Sequence, residues 1–204
     1  MNKMFLASSF KDVANVFETF AGEVKGKTVT FIPTASAVEK VNFFVKSGKK
    51  ALEKMGLIID ELEVSTATTD EITKKLTQND YIYITGGNTF FLLQELRKSG
   101  ADKIIAEQIE LGKIYIGESA GAIVASPNIE YANAMDSVKK APELASMDGL
   151  RMVEFYPVPH HTNAPFKKAV EKIIATYGET LTLIPISNHQ AILIENDDVR
   201  IESV

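Results

Sequence analysis

The sequence predicts an α/β protein in three layers: a mostly parallel sheet with helices on both faces and a short antiparallel extension at the C-terminal end. Three observations predict it. Short apolar, β-branched runs alternate with amphipathic stretches at helical spacing. The runs Thr28–Ile32 (TVTFI) and Tyr81–Thr85 (YIYIT) hold hardly a polar position, as strands covered on both faces do. The 204 residues, 45% hydrophobic and 24% charged, match the composition of an ordinary globular chain. A chain of this length buries on the order of 70% of its extended surface, so residues 1–204 are read as a single domain.

Lys3–Ala7 is expected as the first strand, followed by a helix with Val13, Val16, Phe17 and Phe20 at helical spacing and Gly22 near its end. Thr28–Ile32 is a strand closed by Pro33. Val38–Met55 is expected to be helical, with Val41, Phe44, Val45 and Leu52 on one stripe and Gly56 as its stop. Strand Leu57–Val64, helix Asp70–Gln78 and strand Tyr81–Thr85 follow, the last broken by Gly86-Gly87. Two helices, Thr89–Lys98 and Asp102–Leu111, precede strand Ile114–Ile116, which runs into Gly117. Asn128–Gly149 has no clear period and reads as a long connection over the sheet edge. Phe155–Val158 is expected as a strand ending at Pro159-His160-His161, and Phe166–Tyr177 as a helix. Thr182–Ile186, Ala191–Glu195 and Val199–Glu202 close the chain as short strands, the last two joined by a turn at Asn196-Asp197-Asp198. In such a sheet, sites lie outside the carboxyl ends of the strands. Those ends are Thr34–Ser36, Gly86–Asn88 and Gly117–Gly121.

Charge and composition exclude several classes. Twenty-two Lys and Arg against 27 Asp and Glu give a net charge of −5, which offers no cationic face for nucleic acid or an anionic membrane. No apolar run approaches a membrane span, and Met1–Ala7 is too short an apolar stretch for a signal peptide. With no cysteine there is no disulfide, thiol nucleophile or thiolate metal site, in keeping with a cytoplasmic chain.

The strongest chemical signal is Gly117-Glu118-Ser119-Ala120-Gly121, a G-x-S-x-G between a strand and the apolar start of a helix, Ala122-Ile123-Val124. This is the setting of a nucleophile elbow, in which small neighbours let a strained turn lift a serine hydroxyl off the sheet. The Ala120 amide would face a developing oxyanion. Gly86-Gly87-Asn88-Thr89 opens another helix after a strand, and the Gly87 N–H is the candidate second donor. The fingerprint G-x-G-x-x-G is absent, so no dinucleotide is inferred. A serine needs a base, and only His160, His161 and His189 exist. His160 and His161 follow a strand and can reach the same sheet end as Ser119. Neighbours in an extended segment point opposite ways, so one of the two faces the serine, and spacing does not decide which. Adjacent histidines without H-E-x-x-H spacing make a poor metal site.

Gly86-Gly87-Asn88-Thr89-Phe90, Tyr115 to Ala122 and Pro159-His160 resemble the aspartyl dipeptidase (peptidase E) family of serine peptidases. Cyanophycinases are more distant relatives, and the class I glutamine amidotransferases share the fold with a cysteine at the elbow. The resemblance extends to Phe31-Ile32-Pro33-Thr34 and Ser187-Asn188-His189-Gln190-Ala191. It implies a peptidase of short peptides that needs no cofactor, with Ser119 as nucleophile, His160 rather than His161 as base, and the Gly87 and Ala120 amides as oxyanion donors. Asn88, His161 and Glu118 are candidates for holding substrate, the Glu118 carboxylate by receiving a peptide's α-ammonium. The family's third triad member is a glutamate in a loop just before a run like Ser187–Gln190. Here that loop is short, and the acid is left open among Asp136, Glu154 and Glu195. The segment that in the family supplies an arginine for an acidic substrate reads Phe166-Lys167-Lys168-Ala169, so a preference for an N-terminal aspartate is not implied. Two other readings fit the same residues: a ligand-binding member of the fold with weakened catalysis, and a hydrolase of esters or isopeptides.

Overall fold

The structure is a computed structural model that describes residues 2–204. Its elements run β1 (Lys3–Ala7), α1 (Ala14–Ala21), β2 (Thr28–Ile32), α2 (Phe43–Lys54), β3 (Ile58–Glu61), α3 (Thr69–Gln78), β4 (Tyr81–Ile84), α4 (Thr89–Ser99), α5 (Ala101–Glu110) and β5 (Ile114–Glu118). The second half holds α6 (Ala120–Ile123), β6 (Tyr156–Val158), α7 (Lys167–Tyr177), β7 (Leu183–Pro185), β8 (Gln190–Glu195) and β9 (Asp198–Ser203). A seven-stranded sheet has the order β3-β2-β4-β5-β1-β8-β9. The first five of these pair in parallel, while β8 runs antiparallel to β1 and β9 antiparallel to β8.

Alternation along the strands divides the core in two. Met4 and Leu6 of β1, with Ile82 and Ile84 of β4, face a cluster that includes Phe90, Leu93, Ile105, Ile123 and Ile173. Phe5, Tyr81 and Tyr83 face the other way, against Phe10, Phe17 and Leu52. Each strand therefore has to be apolar at odd and even positions alike, which is why the runs read as continuous. Phe5, Phe10 and Phe17 meet edge-on, with centroids 5.3 to 6.1 Å apart.

Three expectations are corrected. The helix expected from Val38 begins at Phe43, after a short 3-10 turn at Thr34–Ser36. Val41, counted into its apolar stripe, is 57% exposed on a cleft wall, so its spacing was not that of a core residue. The strand before His160 lies outside the main sheet, because β8 already occupies the free edge of β1. It pairs in parallel with β7 in a separate two-stranded sheet, anchored by the Tyr131 hydroxyl donating to the Pro157 carbonyl at 2.6 Å. The connection 128–149 packs on α4 rather than over the sheet edge. Arg97 of α4 donates to the Ser146 and Asp148 carbonyls, and the Glu143 amide donates to Gln94.

Candidate active site

Strand β5 ends at Glu118, and Ser119 follows with φ 50° and ψ −103°, a backbone setting rare for any residue with a side chain. The neighbours make room for it. A Cβ on Gly121 would come 2.4 Å from the Ile84 carbonyl oxygen, and one on Gly117 would come 2.5 Å from that of Gly121. The Ser119 amide donates to the Ala7 carbonyl at 2.8 Å, which pins the turn to the end of β1.

His160 reaches Ser119 from the loop after β6. Its Nε2 lies 2.9 Å from the Ser119 Oγ. Its Nδ1 lies 2.8 Å from the Asn188 Oδ1, which can only accept, so Nδ1 carries the proton and Nε2 is the free acceptor. The loop is tied down at several points. The His160 amide donates to the Ser8 hydroxyl at 2.9 Å, and that hydroxyl donates to the Ile186 carbonyl at 3.0 Å. Phe166 stacks on the imidazole, centroids 4.6 Å apart and planes 23° apart. Burial pushes the His160 pKa below its ordinary value, against the opposing pull of Asn188, so the ring is neutral near pH 7.

None of the three carboxylates considered for the third position reaches His160. Asp136 accepts from the Thr89 amide (2.9 Å) and hydroxyl (2.6 Å) at the start of α4. Glu154 is exposed just before β6, away from the His160 end of that strand. Glu195 pairs with Lys3 and Arg200 at the opposite end of the sheet, because β8 runs antiparallel to β1. The position is filled by the neutral amide of Asn188. The sequence held Asn188 in plain view, but a search for an acid passes over it.

The Gly86-Gly87 turn lies beside the elbow: a Cβ on Gly86 would come 3.2 Å from the Ser119 Cβ. Gly87 has φ 138°, and a Cβ there would meet the Ala35 carbonyl at 2.2 Å, so only glycine fits. Among the described residues, neither the Gly87 nor the Ala120 amide donates to a protein acceptor. The Asn88 side chain is occupied within the fold: Oδ1 caps α4 by accepting from the Phe91 amide, and Nδ2 donates to the Ser137 carbonyl. The His161 amide donates to the Ile186 carbonyl, and His161 does not line the cleft. Glu118 is buried behind the elbow. Its Oε1 accepts from the Phe10 amide and its Oε2 from the Tyr83 hydroxyl, both at 2.9 Å.

Ser119, His160, Asn188 and the Gly86-Gly87 turn line one cleft of about 650 Å3. Val41, Phe43, Phe44, Met135, Pro165 and Phe166 give it an apolar wall. Lys140 lines it too but is paired with Glu39 at 2.6 Å. Among the described residues, no group of three His, Asp or Glu side chains is placed to hold a metal ion, and no helix is long and apolar enough to cross a membrane.

A parallel sheet carrying a serine on a strained strand–helix turn, with an imidazole at hydrogen-bond distance, has the form of a nucleophile elbow. The profile of peptidase family S51 matches residues 4–202, and the chain belongs to that family. It is similar to an uncharacterized peptidase of Listeria innocua, 57% identical over 98% of this chain and 95% of that one. Peptidase E of Salmonella arizonae is 31% identical over 71% of this chain and 60% of its own length. The crystal structure of a candidate peptidase E protein from Listeria monocytogenes superposes with a TM-score of 0.97 at 54% identity, covering 100% and 99% of the two chains. The protein is a peptidase.

Proposed function

We propose that the protein is a serine peptidase of short peptides, with Ser119 as nucleophile, His160 as base and Asn188 orienting the imidazole. The Ser119 hydroxyl would attack the scissile carbonyl as its proton passes to His160 Nε2. The imidazolium would then protonate the leaving amine, and water would release the acyl group by the same steps. The unpartnered Gly87 and Ala120 amides are suited to the tetrahedral oxyanion, each such donor contributing roughly 3 kcal/mol in known cases. The observation that carries this reading is the unbroken line from Oγ to Nε2 at 2.9 Å and from Nδ1 to Oδ1 at 2.8 Å.

The cleft suits a peptide with an apolar side chain near the scissile bond. No arginine lines it, and Lys140 is engaged by Glu39, which leaves Lys11 as the one lining lysine without an ion pair among the described residues. An acidic side chain would find a single lysine there and no bidentate clamp. The direct test is labelling with an aryl phosphonate. Ser119 is modified in the wild type, and Ser119→Ala abolishes both label and peptide turnover. A folded wild-type protein that takes up no label would overturn the reading.

A further inference from the structure

Glu118 belongs to no step of that mechanism, yet it is among the most deliberately surrounded groups in the molecule. It is 4% exposed, directly precedes Ser119, and is hydrogen-bonded to two other segments. The Phe10 amide, from the turn after β1, donates to Oε1, and the Tyr83 hydroxyl of β4 donates to Oε2. Tyr83 lies in the strand that leads directly into the Gly86-Gly87 turn, and a Cβ on Gly86 would come 3.2 Å from the Ser119 Cβ. α2 approaches through Gly48, whose missing side chain leaves room: a Cβ there would lie 2.5 Å from the Tyr83 hydroxyl oxygen and 3.5 Å from Oε2. We propose that the Glu118 carboxylate is a positioning residue, tying the Phe10 turn and β4, the strand that leads into the Gly86-Gly87 turn, behind Ser119, and that it does so most firmly when ionised.

The inference rests on the reading of Ser119 as nucleophile and goes beyond it. Of the two groups bonded to the carboxylate, the Phe10 amide can only donate, and the Tyr83 oxygen could turn to accept. A protonated carboxyl must turn the Tyr83 hydroxyl round and exchanges two charge-assisted hydrogen bonds for weaker neutral ones, so the hold on β4 and the turn it leads into would loosen. Other charged groups bear on it. Asp12, in the Phe10 turn, opposes ionisation, and Lys11 next to Asp12 lines the same cleft, as does His160. Burial outweighs the donors and holds the Glu118 pKa at about 7, within reach of ordinary pH.

The experiment compares pH–rate profiles of the wild type and Glu118→Gln on a chromogenic peptide, together with hydrogen exchange across Thr85–Thr89. In the wild type kcat falls below pH 7, and a second fall at lower pH reports His160. Glu118→Gln lowers kcat by about 10- to 100-fold with KM within about threefold, loses the limb near pH 7, and speeds exchange of the turn about tenfold. Tyr83→Phe removes one donor from the carboxylate while keeping its bulk, and moves that limb to higher pH. An E118Q protein that keeps the limb near pH 7, a Y83F protein with the wild-type limb, or an unchanged exchange rate in the turn overturns the inference. If Ser119 takes no phosphonate label while the turn still loosens in E118Q, the nucleophile reading has failed and the lock stands.

Discussion

His160 is held between a hydroxyl and an amide, and the amide sets its chemistry. Asn188 fixes the tautomer and the ring orientation, but as a neutral group it stabilises a developing imidazolium less than a carboxylate would. Replacing Asn188 with Asp places a negative charge at the same distance, which favours the protonated ring and raises the His160 pKa. The sign follows directly: the base is active only when neutral, so the low-pH fall in kcat assigned to His160 moves to higher pH in Asn188→Asp, by about one unit or more. A profile that stays in place would show that Asn188 does not control the base. At this scale the sequence was informative where the residue type is scarce. Three histidines and one elbow serine leave few pairings, and Ser119 with His160 is the pair brought together. The orienting residue was not legible. Asparagines abound, and what makes Asn188 special is a fold-level coincidence: the stretch before β8 arrives beside a loop 28 residues earlier. Phe166 and Ser8, which hold the ring plane and the loop backbone, belong to the same kind.

Among the elements, the turn from β4 into α4 tolerates least change. A side chain at Gly87 must push into the Ala35–Ser36 backbone while adopting a φ that only glycine takes readily. Gly87→Ala is therefore expected to cost about 2–4 kcal/mol of stability, from overpacking and backbone strain together. Urea unfolding measures it, and a loss under about 0.5 kcal/mol would show that the turn has slack. The strands were legible because burial on both faces writes itself as unbroken apolar runs, and β1, β2 and β4 fall within a residue of expectation. The start of α2 was not, because Val41 and Phe44 of the expected stripe line the cleft and imitate core positions. The place of β6 was equally hidden. Its pattern states that it is a strand, but not that β8 has taken the edge beside β1.

For the molecule as a whole, the cleft gathers side chains from both halves of the chain, and its balance of charge decides what enters. With Lys140 engaged by Glu39 and no lining arginine, dipeptides that begin with a large apolar residue should exceed their aspartyl counterparts in kcat/KM by at least about tenfold. Parallel assays of Phe- and Asp-initiated dipeptides check this, and a faster Asp substrate would mean that Lys11 binds it or that Lys140 is released to do so. The α/β layering was legible from the order of elements, whereas the contents of the cleft were not, since its walls come from segments far apart in sequence. That separation has a bearing on biosynthesis. Ser8 leaves the ribosome early, and the Ser119 hydroxyl follows 41 positions ahead of its imidazole. The loop bearing His160 can settle only when Ser8 and Ile186 are both present to receive it. A nascent chain would thus remain inert toward surrounding polypeptides until nearly its whole length had emerged, and the onset of hydrolysis would itself mark the completion of folding.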